Sequence, residues 1–221
     1  MIRLHLAMFV IGIALIFHGY EEMQLSRRAT AEPEKVDLAG IEAGKRPENI
    51  HLTLGEHYRL YPAAIYTYSR DKGDSSRPGP GTSVNHVFYP VISTDHPFLK
   101  AMEEMALKYG KVADAPKDVP RPKLDSFAVI VKTDRLKTVG SIPNDWKKEG
   151  AITGLVVNQA DPLKDSEIAL IRHSFPRFDA AHVLVLEEGR KPSGFLYYGS
   201  MFCIGPFLMI LPIFLRFGRR S

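Results

Sequence analysis

Three histidines, His51, His86 and His173, are the candidates for catalysis in this 221-residue chain. His51 and His57 flank the Gly55-Glu56 pair, and His86 stands in a separate apolar stretch. If His51 and His86 faced each other across neighbouring strands, their imidazoles would share a proton or a metal ion. The plainer expectation is that both are half-exposed strand residues. Arg172-His173-Ser174 sets a histidine beside a serine at a helix end. Adjacent helical residues point in different directions, so this is no dyad by itself. A cationic histidine there is already explained by the helix dipole. Asp161, Asp165 and Glu167 cluster where the same helix starts, a favourable place for carboxylates. A hydrolytic pair would need a facing partner that the spacing does not supply.

The stronger signatures of chemistry are missing. The stretch 77–83, RPGPGTS, has the glycines of a phosphate loop but no lysine, and its prolines remove amide donors. No Gly-x-Ser-x-Gly follows a strand, and no His-Glu-x-x-His occurs. The one cysteine, Cys203, falls inside an apolar segment, so the middle of the chain has neither disulfides nor thiol chemistry. No cofactor or metal is expected. The net charge of +4 is mild, and no basic run interleaved with aromatics points to nucleic acid.

The elements that would position the histidines are readable. Strands are expected at 50–54, 64–68, 86–92, 127–131, 152–157 and 182–186, from alternation or β-branched and aromatic runs. A helix follows Thr94 or Asp95 as cap, with Pro97 in its first turn; Phe98, Met102, Met105 and Tyr109 form its stripe and Gly110 ends it. That stripe reads as core. A second helix begins at Asp165 or Ser166 and stops before Pro176. Strand, helix and strand over 152–186 point to a right-handed crossover and a parallel pair. The fold class is α+β, or mixed α/β, with about six strands in a mixed sheet and two helices, flanked by an N-terminal and a C-terminal transmembrane helix.

Those flanking segments are the most informative feature of the chain. Residues 4–20 hold no Asp, Glu, Lys or Arg, and nine are Leu, Ile, Val or Phe. Their insertion is worth about −4 kcal/mol on a translocon scale. Residues 195–215 are longer and as apolar, with Pro206 and Pro212 inside. Pro206 and Pro212 are expected to kink the helix, which a spanning segment tolerates. Ala29-Thr30-Ala31 matches a signal-peptide cleavage pattern but lies too far from the apolar core, so the first segment reads as a signal anchor. Arg216, Arg219 and Arg220 place the C-terminus in the cytoplasm, and two spans bring the N-terminus there too.

The expected organisation is a span over 1–20, a polar juxtamembrane stalk over 21–47, an extracytoplasmic domain over 48–190, a span over 195–215 and a basic tail over 216–221. A short linker holds the domain near the membrane. Neither span carries a central charge, which argues against a transport path. Membrane lipid is one expected partner. Gly12, Gly19, Gly199 and Cys203, small residues on the spans, would pack against the other span, another membrane protein or a second copy. The functional expectation is a non-enzymatic binding, assembly or envelope-organising role. The alternative is a membrane-bound hydrolase built on His51, His86, His173 and carboxylates.

Overall fold

A computed structural model describes residues 2–69, 77–110, 112–116, 118–159 and 163–217. Asp161, residues 71–76 of the expected loop, and Arg219 and Arg220 of the expected tail lie outside these residues. The chain divides into two units. One is built from residues 1–32 and 191–221, the other from Pro33–Arg190.

The first unit is a pair of helices, α1 (Ile2–Arg28) and α5 (Phe195–Phe217). Within them Arg3–Arg28 and Phe195–Pro212 are long and apolar enough to cross a membrane. At 1.5 Å per residue the 27 residues of α1 reach about 40 Å, more than a hydrocarbon core needs. Only 11% and 6% of the two apolar windows are buried, unlike the core helix of a soluble protein. The helices run antiparallel and meet at glycines. A Cβ on Gly12 would lie 2.6 Å from the Gly205 carbonyl oxygen, and one on Gly205 would lie 2.8 Å from that of Gly12. Gly19 abuts Met201 in the same seam, whereas Gly199 has only Phe195 of its own helix nearby and Cys203 is exposed. Of the four small residues, Gly12 and Gly19 are therefore used within the chain. Lower down, Ser193 Oγ donates to Glu22 and Ser26 Oγ to the Ser193 carbonyl.

The second unit holds nine strands, among the described residues, in one mixed sheet, with three helices. The strands are β1 (Glu34–Val36), β2 (His51–Leu54), β3 (His57–Leu60), β4 (Ile65–Thr67), β5 (His86–Ser93), β6 (Val129–Thr133), β7 (Trp146–Glu149), β8 (Ile152–Val156) and β9 (Leu184–Glu188). The helices are α2 (Leu38–Glu42), α3 (Pro97–Tyr109) and α4 (Asp165–Ser174). Strand order is β1-β2-β8-β9-β6-β5-β3-β7, and β4 pairs with the free end of β5.

That order dictates curvature. Gly55 and Glu56 alone join β2 to β3, yet four strands separate them in the sheet, and the same holds for β7 and β8 across Gly150 and Ala151. Three Cα steps span about 11 Å at most, whereas five strand spacings in a flat sheet need about 24 Å. The sheet must curl until its ends meet. Register shows how: His51 opposes Leu155 and Leu54 opposes Ile152, then His57 opposes Glu149 and Leu60 opposes Trp146. Residues 51–60 and 146–155 thus form one antiparallel ribbon, bent in the middle. Its first half pairs through β8 to β9 and its second through β3 to β5, which closes the circuit.

The inward face carries Val87, Tyr89, Val91, Val129, Val131, Leu184 and Leu186, each at most 1% exposed. Outward neighbours such as Phe88, Ile130 and Val185 are buried too. Helices α3 and α4 lie on that side: the Phe98 ring packs on Trp146 in a tilted contact at 5.4 Å, and Glu167 meets outward-facing Lys132 at 3.2 Å. Burial on both faces explains the near-continuous apolar strands.

Several expectations need correction. The sheet has nine strands, not about six; β1, β3 and β7 are short and polar, without a periodic signal. The stretch expected as a stalk is divided. Residues 21–28 extend α1, while Glu34–Val36 pairs in parallel with β2 and Leu38 and Ile41 are buried. Strands β8 and β9 are antiparallel, not parallel; the parallel partner of β9 is β6. The long connection between β8 and β9 permits either direction, so local sequence left the choice open. The cap of α3 is His96, whose Nδ1 accepts from the Phe98 amide, rather than Thr94 or Asp95. Gly110 ends α3 with φ of 83°, as its sequence position required. The residue before α4 is Lys164, whose amide donates to Glu167.

Candidate functional site

The structure separates the three candidate histidines. His51 lies on β2 and His86 on β5, with β8, β9 and β6 between them. They do not face each other across neighbouring strands. His51 is buried opposite Leu155. His86 is half-buried beside a cavity of about 260 Å³ that Lys132, Asp134 and Glu187 also line. Burial, then the Lys132 cation, lower the pKa of His86. Lys132 is paired with Glu167, and Glu187 with Arg190. His173 is exposed on the last turn of α4. Among the described residues no group of three or more His, Cys, Asp or Glu side chains could hold a metal.

Inside the closed sheet lies a polar knot. Glu188, with a side chain only 5% exposed, accepts from Arg59, Arg135 and the Tyr89 hydroxyl, each at 3.3 Å. Arg59 also donates to the Tyr61 hydroxyl at 3.2 Å, and the Tyr61 and Tyr89 rings lie 4.8 Å apart. Burial, then the Glu188 carboxylate, push the Tyr89 hydroxyl up, so it stays a donor. Further along β3, His57 is fully buried. Its Nδ1 donates to the Gly55 carbonyl at 2.7 Å, leaving Nε2 without a partner. Except for Arg135, whose side chain is largely exposed, these groups are enclosed, and their geometry is that of an internal brace.

A more open site is a cleft of about 400 Å³ where the sheet meets α2. Lys45, Arg46, His96 and His182 supply its polar edge, and Ile41, Phe127 and Val183 its apolar floor. Each polar group is positioned by local structure. Asp37 caps α2 through the Ala39 amide, and Gly44, at φ 92°, turns the chain sharply so that Lys45 and Arg46 follow at the rim. The Lys45 amide closes this turn on the Gly40 carbonyl. Glu42 also borders the cleft, but its carboxylate is occupied by the Ser93 amide at 2.8 Å and the Ser93 hydroxyl at 2.5 Å. Arg46 donates to the His182 carbonyl at 3.2 Å.

The His182 turn is clamped by Asn158, just beyond β8. Its amide nitrogen donates to the Ala180 and Val183 carbonyls, and its oxygen accepts from the Val185 amide. Asp179 accepts from the Ala181 amide at 3.0 Å and from His182 Nδ1 at 2.6 Å. The Ala181 hydrogen bond, then that of His182, hold the Asp179 carboxyl below the usual range. His182 Nε2 is thereby the free nitrogen of that ring. Conversely His96 Nδ1 accepts from the Phe98 amide, so the proton of the neutral ring sits on Nε2.

The arrangement can do two things. It offers several positive or donating groups around one apolar-floored opening, which suits binding. It also offers an Asp179–His182 pair of the kind that supports a general base. Ser126 lines the same cleft, but no hydrogen bond joins it to His182. Sequence reasoning missed this site because its polar groups come from a turn at 45–46, a helix cap at 96 and a turn at 182, far apart in the chain. The available signal was Asp179-Ala-Ala-His182, an Asx-type turn just before a strand. A comparison with protein families, with curated proteins and with solved structures finds no match.

Proposed function

We propose that the chain is a two-span membrane protein with both termini cytoplasmic, whose extracytoplasmic α+β domain binds a partner or ligand and performs no catalysis. The observation that carries this reading is the cleft itself. It gathers Lys45, Arg46, His96 and His182 around an apolar floor and holds no nucleophile hydrogen-bonded to a base. Spans that contain no central charge and close on each other at Gly12 and Gly205 support a role as anchors. Basic residues beyond the second span support the orientation.

Protease protection in oriented vesicles, with a tag at each end, tests the topology. Protection of the 33–190 region with both tags on the cytoplasmic side is the expected outcome; cleavage of that region from the cytoplasmic face overturns it. Purification in mild detergent tests the binding role. A stoichiometric partner or a defined homo-oligomer is expected, and a monomer that binds neither lipid, polymer nor small anions counts against it. The hydrolase alternative keeps one supporting observation, the 2.6 Å Asp179–His182 contact at the cleft edge. Turnover of model esters that is lost in His182→Gln would establish it.

A further inference from the structure

We propose that the cleft lined by Lys45, Arg46 and His96 binds the phosphate group of an organic phosphate monoester, with the organic body resting on Ile41, Phe127 and Val183. The inference deepens the binding reading above and rests on it. Four observations lead to this class of ligand. First, the nitrogen of Lys45 has no partner among the described residues, and Arg46 spends only one nitrogen, on the His182 carbonyl. Second, the Phe98 amide takes up the His96 Nδ1 lone pair, which leaves Nε2–H as a donor. Third, the nearby carboxylates are engaged elsewhere, Glu42 by the Ser93 amide and hydroxyl and Asp179 by Ala181 and His182, and neither is paired with Lys45 or Arg46. Fourth, the cleft measures about 400 Å³, within the range of small-molecule sites and several times the size of a bare phosphate.

The geometry selects phosphate over carboxylate. Lys45 and Arg46 approach from one turn and His96 from the cap of α3, so donors converge from two directions on the three terminal oxygens of a tetrahedral group. A planar carboxylate is satisfied by one guanidinium fork. The buried apolar floor then rewards an attached ring or chain, so an ester should bind better than the free ion.

The test uses the full chain in nanodiscs of phosphatidylcholine and follows phenyl phosphate and inorganic phosphate by calorimetry. Phenyl phosphate should bind at least about tenfold tighter than inorganic phosphate. The Lys45→Ala/Arg46→Gln variant should lose at least about tenfold in affinity for both while its unfolding temperature stays put, because both side chains are exposed. Lys108→Ala, on α3 away from the cleft, should change nothing. Equal affinity in the Lys45/Arg46 variant, or no saturable binding of either probe, overturns the inference. A second series in discs containing phosphatidic acid separates the sources. Competition with phenyl phosphate assigns the site to a lipid headgroup, and its absence assigns it to a soluble ester; both outcomes support a phosphate monoester. Absent binding with the expected topology defeats this inference alone. Release of phenol would defeat the non-enzymatic reading and leave the phosphate site standing.

Discussion

Replacing Glu188 by Gln should be among the most damaging isosteric changes in the 33–190 unit. The carboxylate is 5% exposed and accepts from Arg59, whose side chain is 13% exposed, from Arg135 and from the Tyr89 hydroxyl. Hydrogen bonds to a charged group contribute roughly 1.5–3 kcal/mol, and stranding a buried ion costs roughly 3–5 kcal/mol. The Arg135 contact is discounted to under about 1 kcal/mol, because that side chain is 65% exposed and screened by solvent. Arg59 keeps the Tyr61 hydroxyl, and a glutamine oxygen still accepts one bond, so the net loss should be about 2–4 kcal/mol. Tyr89→Phe should cost about 1–2 kcal/mol and Arg135→Gln under about 1 kcal/mol. Arg59→Met combined with Glu188→Gln should recover part of the loss, since it removes the stranded cation. The assay is urea unfolding of the full chain in mild detergent, read from Trp146. That residue is the single tryptophan, and it packs on Phe98 in this unit. A loss below about 1 kcal/mol for Glu188→Gln, or no recovery in the double variant, would refute the brace.

Other outcomes follow from the same contacts. Burial lowers the His57 pKa below 6.5, so the folded state holds it neutral while the unfolded chain takes up a proton. Stability should therefore fall as pH drops below about 6.5, by at most about 1.4 kcal/mol per pH unit from this residue, levelling off below its folded pKa. His57→Gln should flatten the urea midpoint between pH 6.5 and the acid limit; an unchanged slope would argue against it. Gly154→Ala drives a methyl into the backbone oxygen of Glu187 on the neighbouring strand and should cost about 1–3 kcal/mol in the same assay. Wild-type stability would show that the β8–β9 approach is looser than described. Gly12→Leu should separate α1 from α5, seen as a longer, broader distance between spin labels on the two helices. An unaltered distribution would mean that the Gly12–Gly205 contact does not set their approach.

Elements were legible where the signal was local. Pro97, the Phe98 to Tyr109 stripe and Gly110 mark α3 almost to the residue, because capping and periodicity act within a few turns. The apolar runs of β5, β6, β8 and β9 were equally plain, since both their faces are buried. Strand β7, with Lys147 and Lys148 outermost on the ribbon, has no periodic pattern and surfaced only through pairing with β3. Strand β1 looked like part of a polar stalk for the same reason; it is held by β2, not by its own composition. The candidate site was the least legible. His51, His86 and His173 were singled out by residue type and spacing, whereas the cleft uses His96, a helix cap, and His182, in a turn clamped by Asn158 from the end of the neighbouring strand β8.

The sequence by itself determined that two end segments are helical and apolar enough to cross a membrane, because hydropathy over about 20 residues is a property of the segment alone. It also determined that disulfide chemistry is absent from the middle of the chain, since Cys203 stands alone. Tertiary structure decided which strands meet, that β8 and β9 run antiparallel, and that the sheet bends at Gly55-Glu56 until the circuit closes. It alone brought Lys45, Arg46, His96 and His182 to one opening. The physical reason is range. Propensity and capping act over a few residues, but pairing direction and the convergence of side chains depend on contacts between segments far apart in the chain.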